Sequence, residues 1–161
     1  MKTHAECLNN LQKALSMELA AVQQYLLHAH LLEDWGLDQL GAKMREEMQE
    51  ELGHAGTFIN RIMFHKSDPE VAAIKKPQRA KSLKEMFEAD LADERDAIKF
   101  YTKAAQSAAD ASDIGTRTIF EEILLDEEGH MAWLQLQLDL LKRMGEPAYI
   151  ARHMTVTGGT G

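Results

Sequence analysis

The sequence has few of the residues that would interrupt helices or cross-link a secreted fold. Cys7 is the single cysteine among 161 residues, so an internal disulfide framework is excluded and a reducing compartment is expected. Only three prolines occur, Pro69, Pro77 and Pro147, and all lie outside the periodic apolar stretches. Long, uninterrupted helices are therefore compatible with the composition.

Long hydrophobic runs and excess positive charge are also missing. No apolar stretch approaches the roughly 18 residues of a membrane span, and residues 1–6 lack the apolar segment of a signal peptide. We therefore expect a cytoplasmic protein without a membrane partner. The net charge of −8 argues against a nucleic-acid partner, which would need basic patches. It suits a solvated acidic surface or a cation-binding protein.

Apolar residues recur every three or four positions in four long segments, which is the spacing of amphipathic helices. Residues 3–6 and 82–85 are capping-box sequences and predict the starts of helices A and C. Helix A should end at Gly36, helix B should run from about Asp38 to His65, and a turn at residues 110–113 should precede helix D. Gly145 is a natural C-cap for helix D, and a short fifth helix is expected around residues 148–153.

The connection between helices B and C is long, at roughly 15 residues. Such a crossover lets helix C start at the far end of the bundle and run parallel to helix B. We therefore predict an all-α fold, a four-helix bundle with a long B–C crossover and a short C-terminal fifth helix. It should occupy residues 1–154 as one domain, followed by a flexible tail at residues 155–161.

One four-residue pattern occurs twice. Residues 51–54 read Glu-Leu-Gly-His and residues 127–130 read Glu-Glu-Gly-His. The same offset brings Glu18 onto Glu94 and Tyr25 onto Tyr101. Residues i and i+3 share a helix face, so each Glu-x-x-His pair can present an oxygen and a nitrogen to one point.

Glu18 and Glu94 lie singly within the apolar stripes of the other two helices, where an unpartnered charge would be costly. One Glu-x-x-His pair alone is more often a solvated helix face than a metal site. Two copies, each matched at the same offset by a glutamate within an apolar stripe, are harder to explain as solvated helix faces. Four carboxylates and two imidazoles match the ligand pattern of di-iron centres in helical bundles, and this thiol-free set favours iron or manganese.

Five stretches of the sequence carry a resemblance to a known family, and they read LQKALSMEL (11–19), QYLLH (24–28), DWG (34–36), FEADL (87–91) and DEEGH (126–130). With them, the whole chain up to the tail resembles bacterioferritin. The resemblance implies a ferritin-like fold and a hollow homo-oligomer of 24 subunits. It also implies a ferroxidase that oxidises Fe(II) with oxygen or hydrogen peroxide and stores the ferric mineral inside the cage.

The resemblance also implies roles for individual residues. Glu51 and Glu127 would bridge the two irons of an intra-subunit centre. The terminal ligands would be Glu18 with His54 on one iron, and Glu94 with His130 on the other.

Three further residues have counterparts near the iron sites of the family. Tyr25 falls where the family has a tyrosine beside the centre, where it could orient a ligand or supply an electron; the alternative is a buried tyrosine whose hydroxyl is satisfied. Glu46 and Glu50 fall where the family has an inner-surface iron site. The usual ligands differ there, and a solvated acidic face is an equally good explanation.

One departure from the family concerns heme. Bacterioferritin binds heme between two subunits through a methionine just after the first bridging glutamate, and this chain has Leu52 there. Leucine has no lone pair to give iron, so heme is not expected in the homopolymer. Cages mixed with a second, methionine-bearing bacterioferritin subunit could still carry it.

Three other functions compete with this interpretation. A rubrerythrin-like di-iron peroxidase would have a similar site, but it carries a cysteine-rich iron module that one cysteine cannot form. A subunit with a role only in assembly would not need six intact ligands. A DNA-protecting mini-ferritin is disfavoured by the acidity of the chain and by a ligand set that lies within one bundle.

Overall fold

The computed structural model describes residues 4–154, and this range contains five helices. They are α1 (His4–Asp34), α2 (Asp38–Phe64), α3 (Leu83–Asp110), α4 (Ile114–Met144) and α5 (Glu146–His153). The predicted four-helix bundle with a short fifth helix is therefore confirmed. Thr3, in the predicted first capping box, and the predicted flexible tail at residues 155–161 lie outside the described residues.

Side-chain caps explain where α3 and α4 begin. Ser82 accepts a hydrogen bond from the backbone N–H of Glu85 at 3.1 Å, while the Glu85 carboxylate accepts from the N–H of Lys81 at 3.2 Å. The predicted capping box is thus formed, with its return bond one residue earlier than usual. Asp113 caps α4 by accepting from the N–H of Thr116 at 3.1 Å. Gly145 ends α4 at φ +77°, a conformation that favours glycine.

The helices form two antiparallel pairs, α1 with α2 and α3 with α4, joined by short turns. Residues 65–82 connect the pairs as an extended crossover that lies on α1. Gln24 holds it with two hydrogen bonds of 2.9 Å, one to the Gln78 carbonyl and one from the Gln78 N–H. Gln12 binds the earlier part of the crossover, at Asp68 and Glu70, in the same manner.

Two apolar clusters fill the bundle. One contains Leu11, Leu15, Phe58, Ile62 and Phe120 among its buried members. The other contains Leu32, Leu37, Met44, Phe87 and Tyr149. On each of the four long helices, the predicted metal ligands lie between these two clusters. The fold therefore places a polar layer between two apolar layers, each of which contributes stability by burying hydrocarbon.

Candidate metal centre

All six predicted ligands lie inside the bundle. Each is at most 6% exposed. One helix pair supplies Glu18 from α1 with Glu51 and His54 from α2, and the other supplies Glu94 from α3 with Glu127 and His130 from α4. Their ligand atoms form two groups compact enough to hold a cation.

The first group surrounds the Nδ1 atom of His54. This nitrogen lies 3.1 Å from Glu127 Oε1, 3.5 Å from Glu51 Oε2 and 3.7 Å from Glu18 Oε2. The i, i+3 spacing brings Glu51 and His54 together on α2, while Glu127 comes from the opposite pair of helices. The other helix pair therefore takes part in this half of the site.

The second group surrounds the Nδ1 atom of His130. This nitrogen lies 3.0 Å from Glu51 Oε1, 3.5 Å from Glu94 Oε1 and 3.6 Å from Glu127 Oε2. Glu51 and Glu127 therefore belong to both groups, each with one oxygen near either imidazole. This is the geometry required of two carboxylates that bridge neighbouring cations.

Buried polar atoms without hydrogen-bond partners show that the site fits metal ions. Within residues 4–154, seven buried side-chain atoms lack a partner, and six of them belong to the six predicted ligands: Glu18 Oε2, Glu51 Oε1, His54 Nδ1, Glu94 Oε2, Glu127 Oε1 and His130 Nδ1. The seventh is Glu47 Oε2, which contacts the imidazole of His130 as an ion pair without hydrogen-bond geometry. A buried polar atom without a hydrogen bond is costly, at about 1–3 kcal/mol, so the six ligand atoms at one place favour a compensating ligand. Two divalent cations would supply it.

The protonation of the site also reflects its burial. Burial and the nearby Glu51 carboxylate raise the pKa of Glu18 well above its usual value. Burial and a shared hydrogen bond with Glu127 do the same to the pKa of Glu94. Without metal, protons therefore replace part of the cationic charge that this cluster of carboxylates requires.

The pKa values of the two imidazoles are also raised, but here the neighbouring carboxylates act against the effect of burial. Burial alone would lower the pKa of His54 and of His130, but close contacts with the surrounding carboxylates, Glu127 first, raise both above the usual histidine value. For Glu127, burial alone would raise the pKa, but its interactions with Glu94, His130 and His54 lower it. Both imidazoles are thus held as cations, and a metal at Nδ1 would replace their protons.

The outer nitrogen of each imidazole faces further carboxylates. His54 Nε2 lies 2.9 Å from Asp126 Oδ2. His130 Nε2 lies 2.6 Å from Glu47 Oε2 and 2.7 Å from Glu50 Oε2. Metal-binding histidines usually make such a contact, which fixes the tautomer and the ring orientation.

Glu47 and Asp126 are the residues that the sequence analysis missed. Glu47 is buried at 4% exposure, and the helical spacing of four residues from Glu51 could have indicated this. Asp126 directly precedes Glu127, but its contact with His54 crosses between helix pairs.

The two residues predicted for an inner-surface site have different surroundings. Glu50 lies against His130 Nε2 and belongs to two candidate ligand groups. Glu46 is exposed and contacts Lys43 at 3.8 Å. It belongs to none of the candidate groups found among residues 4–154, and its role as a ligand stays a prediction.

Two tyrosines donate hydrogen bonds to Glu94 and Glu18, the two predicted ligands that come singly from α3 and α1. Tyr25, which the sequence places beside the centre, is buried and donates to Glu94 Oε1 at 2.7 Å. Tyr101 donates a short hydrogen bond to Glu18 Oε1. Burial, with the adjacent carboxylate as the next cause, raises the pKa of each phenol well above its usual value, so both remain donors.

A cavity of about 420 Å³ leads to the centre between α1, α3 and the crossover. Its wall includes four of the six predicted ligands, namely Glu18, Glu51, Glu94 and Glu127, together with both tyrosines. Lys75 of the crossover forms an ion pair of 2.7 Å with Asp93 at this cavity. A small molecule or ion therefore has space to approach the buried carboxylates.

Another cluster of metal-binding residue types lies at the end of the bundle and contains His4, His65 and Asp113. Both oxygens of Asp113 are already used. Oδ1 accepts from Arg61 at 2.6 Å, while Oδ2 accepts from the Thr116 hydroxyl at 2.6 Å and contacts His65 Nε2 at 3.0 Å. This cluster is satisfied as a helix cap and an ion pair.

Comparisons with known proteins agree with this geometry. The model of the ferritin-like domain matches residues 8–144. The bacterioferritins of Brucella melitensis and Rhodobacter capsulatus are 41% and 40% identical to this chain, each over 92% of both sequences. The chain belongs to the bacterioferritin family.

A solved bacterioferritin has nearly the same fold. The structure of Rhodobacter capsulatus bacterioferritin, described as having a metal-free dinuclear site and a heme iron in a special position, superposes with a TM-score of 0.93 at 37% identity. The match covers 98% of this chain and 99% of the other. In the present chain, Leu52 is 48% exposed and therefore lies on the outside of the bundle.

Proposed function

We propose that this chain stores iron and detoxifies it by oxidising Fe(II) at the buried centre. The observation that carries the proposal is the pair of ligand groups that share Glu51 and Glu127. Two cations bound there would be adjacent, so two Fe(II) ions could give up their electrons together. Two electrons suffice to reduce oxygen to hydrogen peroxide, or hydrogen peroxide to water.

The contacts support the proposed ligand roles. Glu51 and Glu127 would bridge, since each has one oxygen near either imidazole. Glu18 with His54 would complete one position, and Glu94 with His130 the other. Iron suits this set because its six donors are carboxylate oxygens and imidazole nitrogens, without thiolate.

The surrounding residues would prepare the site for this reaction. The carboxylates at the outer nitrogens, Asp126 on His54 and Glu47 with Glu50 on His130, would hold each imidazole with Nδ1 directed inward. Tyr25 would fix the orientation of Glu94. Burial would exclude bulk water, while the cavity beside α1 and α3 gives the oxidant and Fe(II) access.

The proposal includes assembly into a hollow homo-oligomer of 24 subunits with the mineral inside. The 0.93 TM-score and the high coverage of a bacterioferritin support it. A cage mixed with a second bacterioferritin subunit remains an alternative assembly. We expect a cytoplasmic protein; none of the helices in residues 4–154 has the length and apolar character needed to cross a membrane.

Heme binding depends on Leu52 in this proposal. The exposed leucine keeps an apolar surface without a sulfur donor. We expect homopolymeric cages to lack stoichiometric bis-methionine heme and Leu52→Met to restore it. The check is the visible spectrum and the heme-to-subunit ratio after reconstitution. A ratio near one heme per two subunits in the unaltered protein would contradict this expectation.

The rubrerythrin-like peroxidase is less well supported than iron storage. The matching relatives are bacterioferritins over nearly their full length, and the single cysteine is buried at 1% exposure. An aerobic assay with limiting hydrogen peroxide would distinguish the two, because a storage protein continues to accumulate ferric mineral after the peroxide is consumed.

The direct test is stopped-flow oxidation of Fe(II) added to the apo protein. We expect a fast phase that saturates at two irons per subunit. Glu18→Ala and His130→Ala should each abolish this phase and leave the assembly intact. Glu88→Ala is the matched control, because Glu88 is an exposed glutamate on α3 that pairs with Lys84. An unchanged fast phase in both site variants would overturn the proposed function.

A further inference from the structure

Tyr25 and Tyr101 occupy equivalent positions in the two halves of the internal repeat. Tyr25 on α1 donates to Oε1 of Glu94 on α3, and Tyr101 on α3 donates to Oε1 of Glu18 on α1. In both carboxylates, Oε2 has no hydrogen-bond partner. Each hydroxyl thus engages one oxygen of a terminal carboxylate and leaves the other available.

The ring of Tyr101 is held rigidly by its neighbours. It is fully buried, and its centroid lies 5.9 Å from that of Phe58 and 5.8 Å from those of Phe100 and Phe120. Because these rings fill the space around it, the hydroxyl can reach Glu18 from only one direction. Tyr25 belongs to the other apolar cluster, so the two hydroxyls enter the polar layer from opposite sides.

We propose that Tyr101 is a positioning residue for Glu18, matching Tyr25 at Glu94, and that it sets the affinity of one of the two metal positions. The inference rests on the proposed function, since it takes Glu18 as a ligand. A carboxylate oxygen that accepts a hydrogen bond is less available to metal. Tyr101 therefore favours binding through the other oxygen in a fixed orientation. Outer partners of this kind usually contribute about 10- to 100-fold in metal affinity.

The test is a Co²⁺ titration of the assembled apo protein, followed by visible absorbance, which needs no turnover. We expect two Co²⁺ per subunit in the unaltered protein. Tyr101→Phe, which keeps the ring contacts, should weaken one of them about 10- to 100-fold and leave the other unchanged. Tyr149→Phe is the matched control, because this buried hydroxyl donates to Gln137, away from the centre.

A double-variant comparison identifies the affected position. With Glu94→Ala, the remaining Co²⁺ is held by Glu18 and His54, and adding Tyr101→Phe should weaken it. With Glu18→Ala, adding Tyr101→Phe should change nothing. Equal effects in both backgrounds, or none in either, would overturn the role of Tyr101 while two bound Co²⁺ still support the centre. Failure of the unaltered protein to bind two Co²⁺ would instead overturn the proposed function.

Discussion

Metal binding should stabilise this protein strongly, because the centre without metal buries many polar groups that lack hydrogen bonds. Seven buried side-chain atoms without partners surround the centre within residues 4–154, and Glu18 and Glu94 are pushed toward their protonated forms. The unfolded chain solvates all these groups in water. A cation that binds only the folded state therefore adds its binding free energy to the free energy of unfolding.

The size of the effect follows from mass action. At a free metal concentration of 100 times the dissociation constant, one bound ion contributes about 2.7 kcal/mol, and two contribute about 5 kcal/mol per subunit. For a chain of this length, each kcal/mol raises the melting temperature by about 2–4 °C. The expected difference between the apo and loaded protein is therefore about 10–20 °C.

Calorimetry at one protein concentration, with EDTA or with excess Co²⁺, measures this difference. Co²⁺ avoids the oxidation that would complicate the use of iron. The control is a double variant, His54→Ala with His130→Ala, which removes the nitrogen donors and keeps the exposed acidic residues. Equal melting temperatures with and without Co²⁺ in the unaltered protein would refute the reasoning, as would the same increase in the double variant.

Four further outcomes are expected. The two site imidazoles have pKa values raised above the 6.5 of the unfolded chain, so above pH 6.5 the folded apo protein binds more protons than the unfolded chain. Its free energy of unfolding should therefore fall as the pH rises from 6.5 to 8.5, while the stabilisation by Co²⁺ should grow. Thermal melts at each pH would measure both trends. Cys7 is buried, and burial is the main cause that raises the pKa of its thiol, so it should resist iodoacetamide at pH 8 until denaturant is added. Mass spectrometry would measure the labelling, and rapid labelling of the folded protein would contradict the prediction. Gly115→Ala should destabilise the protein by about 1–3 kcal/mol in urea melts, because the new methyl would lie 2.6 Å from Arg61 Nη2 and displace it from Asp113. An unchanged midpoint would show that Arg61 moves freely. Gln24→Ala should increase proteolysis within the crossover, since both hydrogen bonds to Gln78 are lost, and an unchanged cleavage rate would contradict this role.

Much of the fold could be predicted because the helices are long and their apolar spacing is regular. The apolar spacing predicts helix B from about Asp38 to His65, and α2 runs from Asp38 to Phe64. The capping box at residues 82–85 also predicts the start of α3, and Ser82 is its N-cap. The path of the crossover could not be predicted, because it depends on amide side chains of α1, such as Gln24, that pair with backbone groups far along the chain.

The inner part of the candidate site was visible in the sequence because the repeat duplicates it. The outer part was not, since the sequence offers Glu46, Glu47 and Glu50 on one helix with the same chemistry. Their exposure separates them: Glu47 is buried, whereas the side chain of Glu46 is 75% exposed. Which acid faces inward is decided by the rotation of α2 against α4, and that rotation follows from packing throughout the bundle.

The repeat nevertheless extends further than its four-residue pattern. The offset that relates His54 to His130 also relates Glu50 to Asp126, and each of these acids contacts the imidazole of the opposite half. Glu47 breaks this symmetry, because the equivalent position holds a buried isoleucine, Ile123. His130 therefore has a buried carboxylate that His54 lacks. Since such partners raise the basicity of a ligating imidazole, the two proposed metal positions should differ in affinity although their six proposed inner ligands are matched.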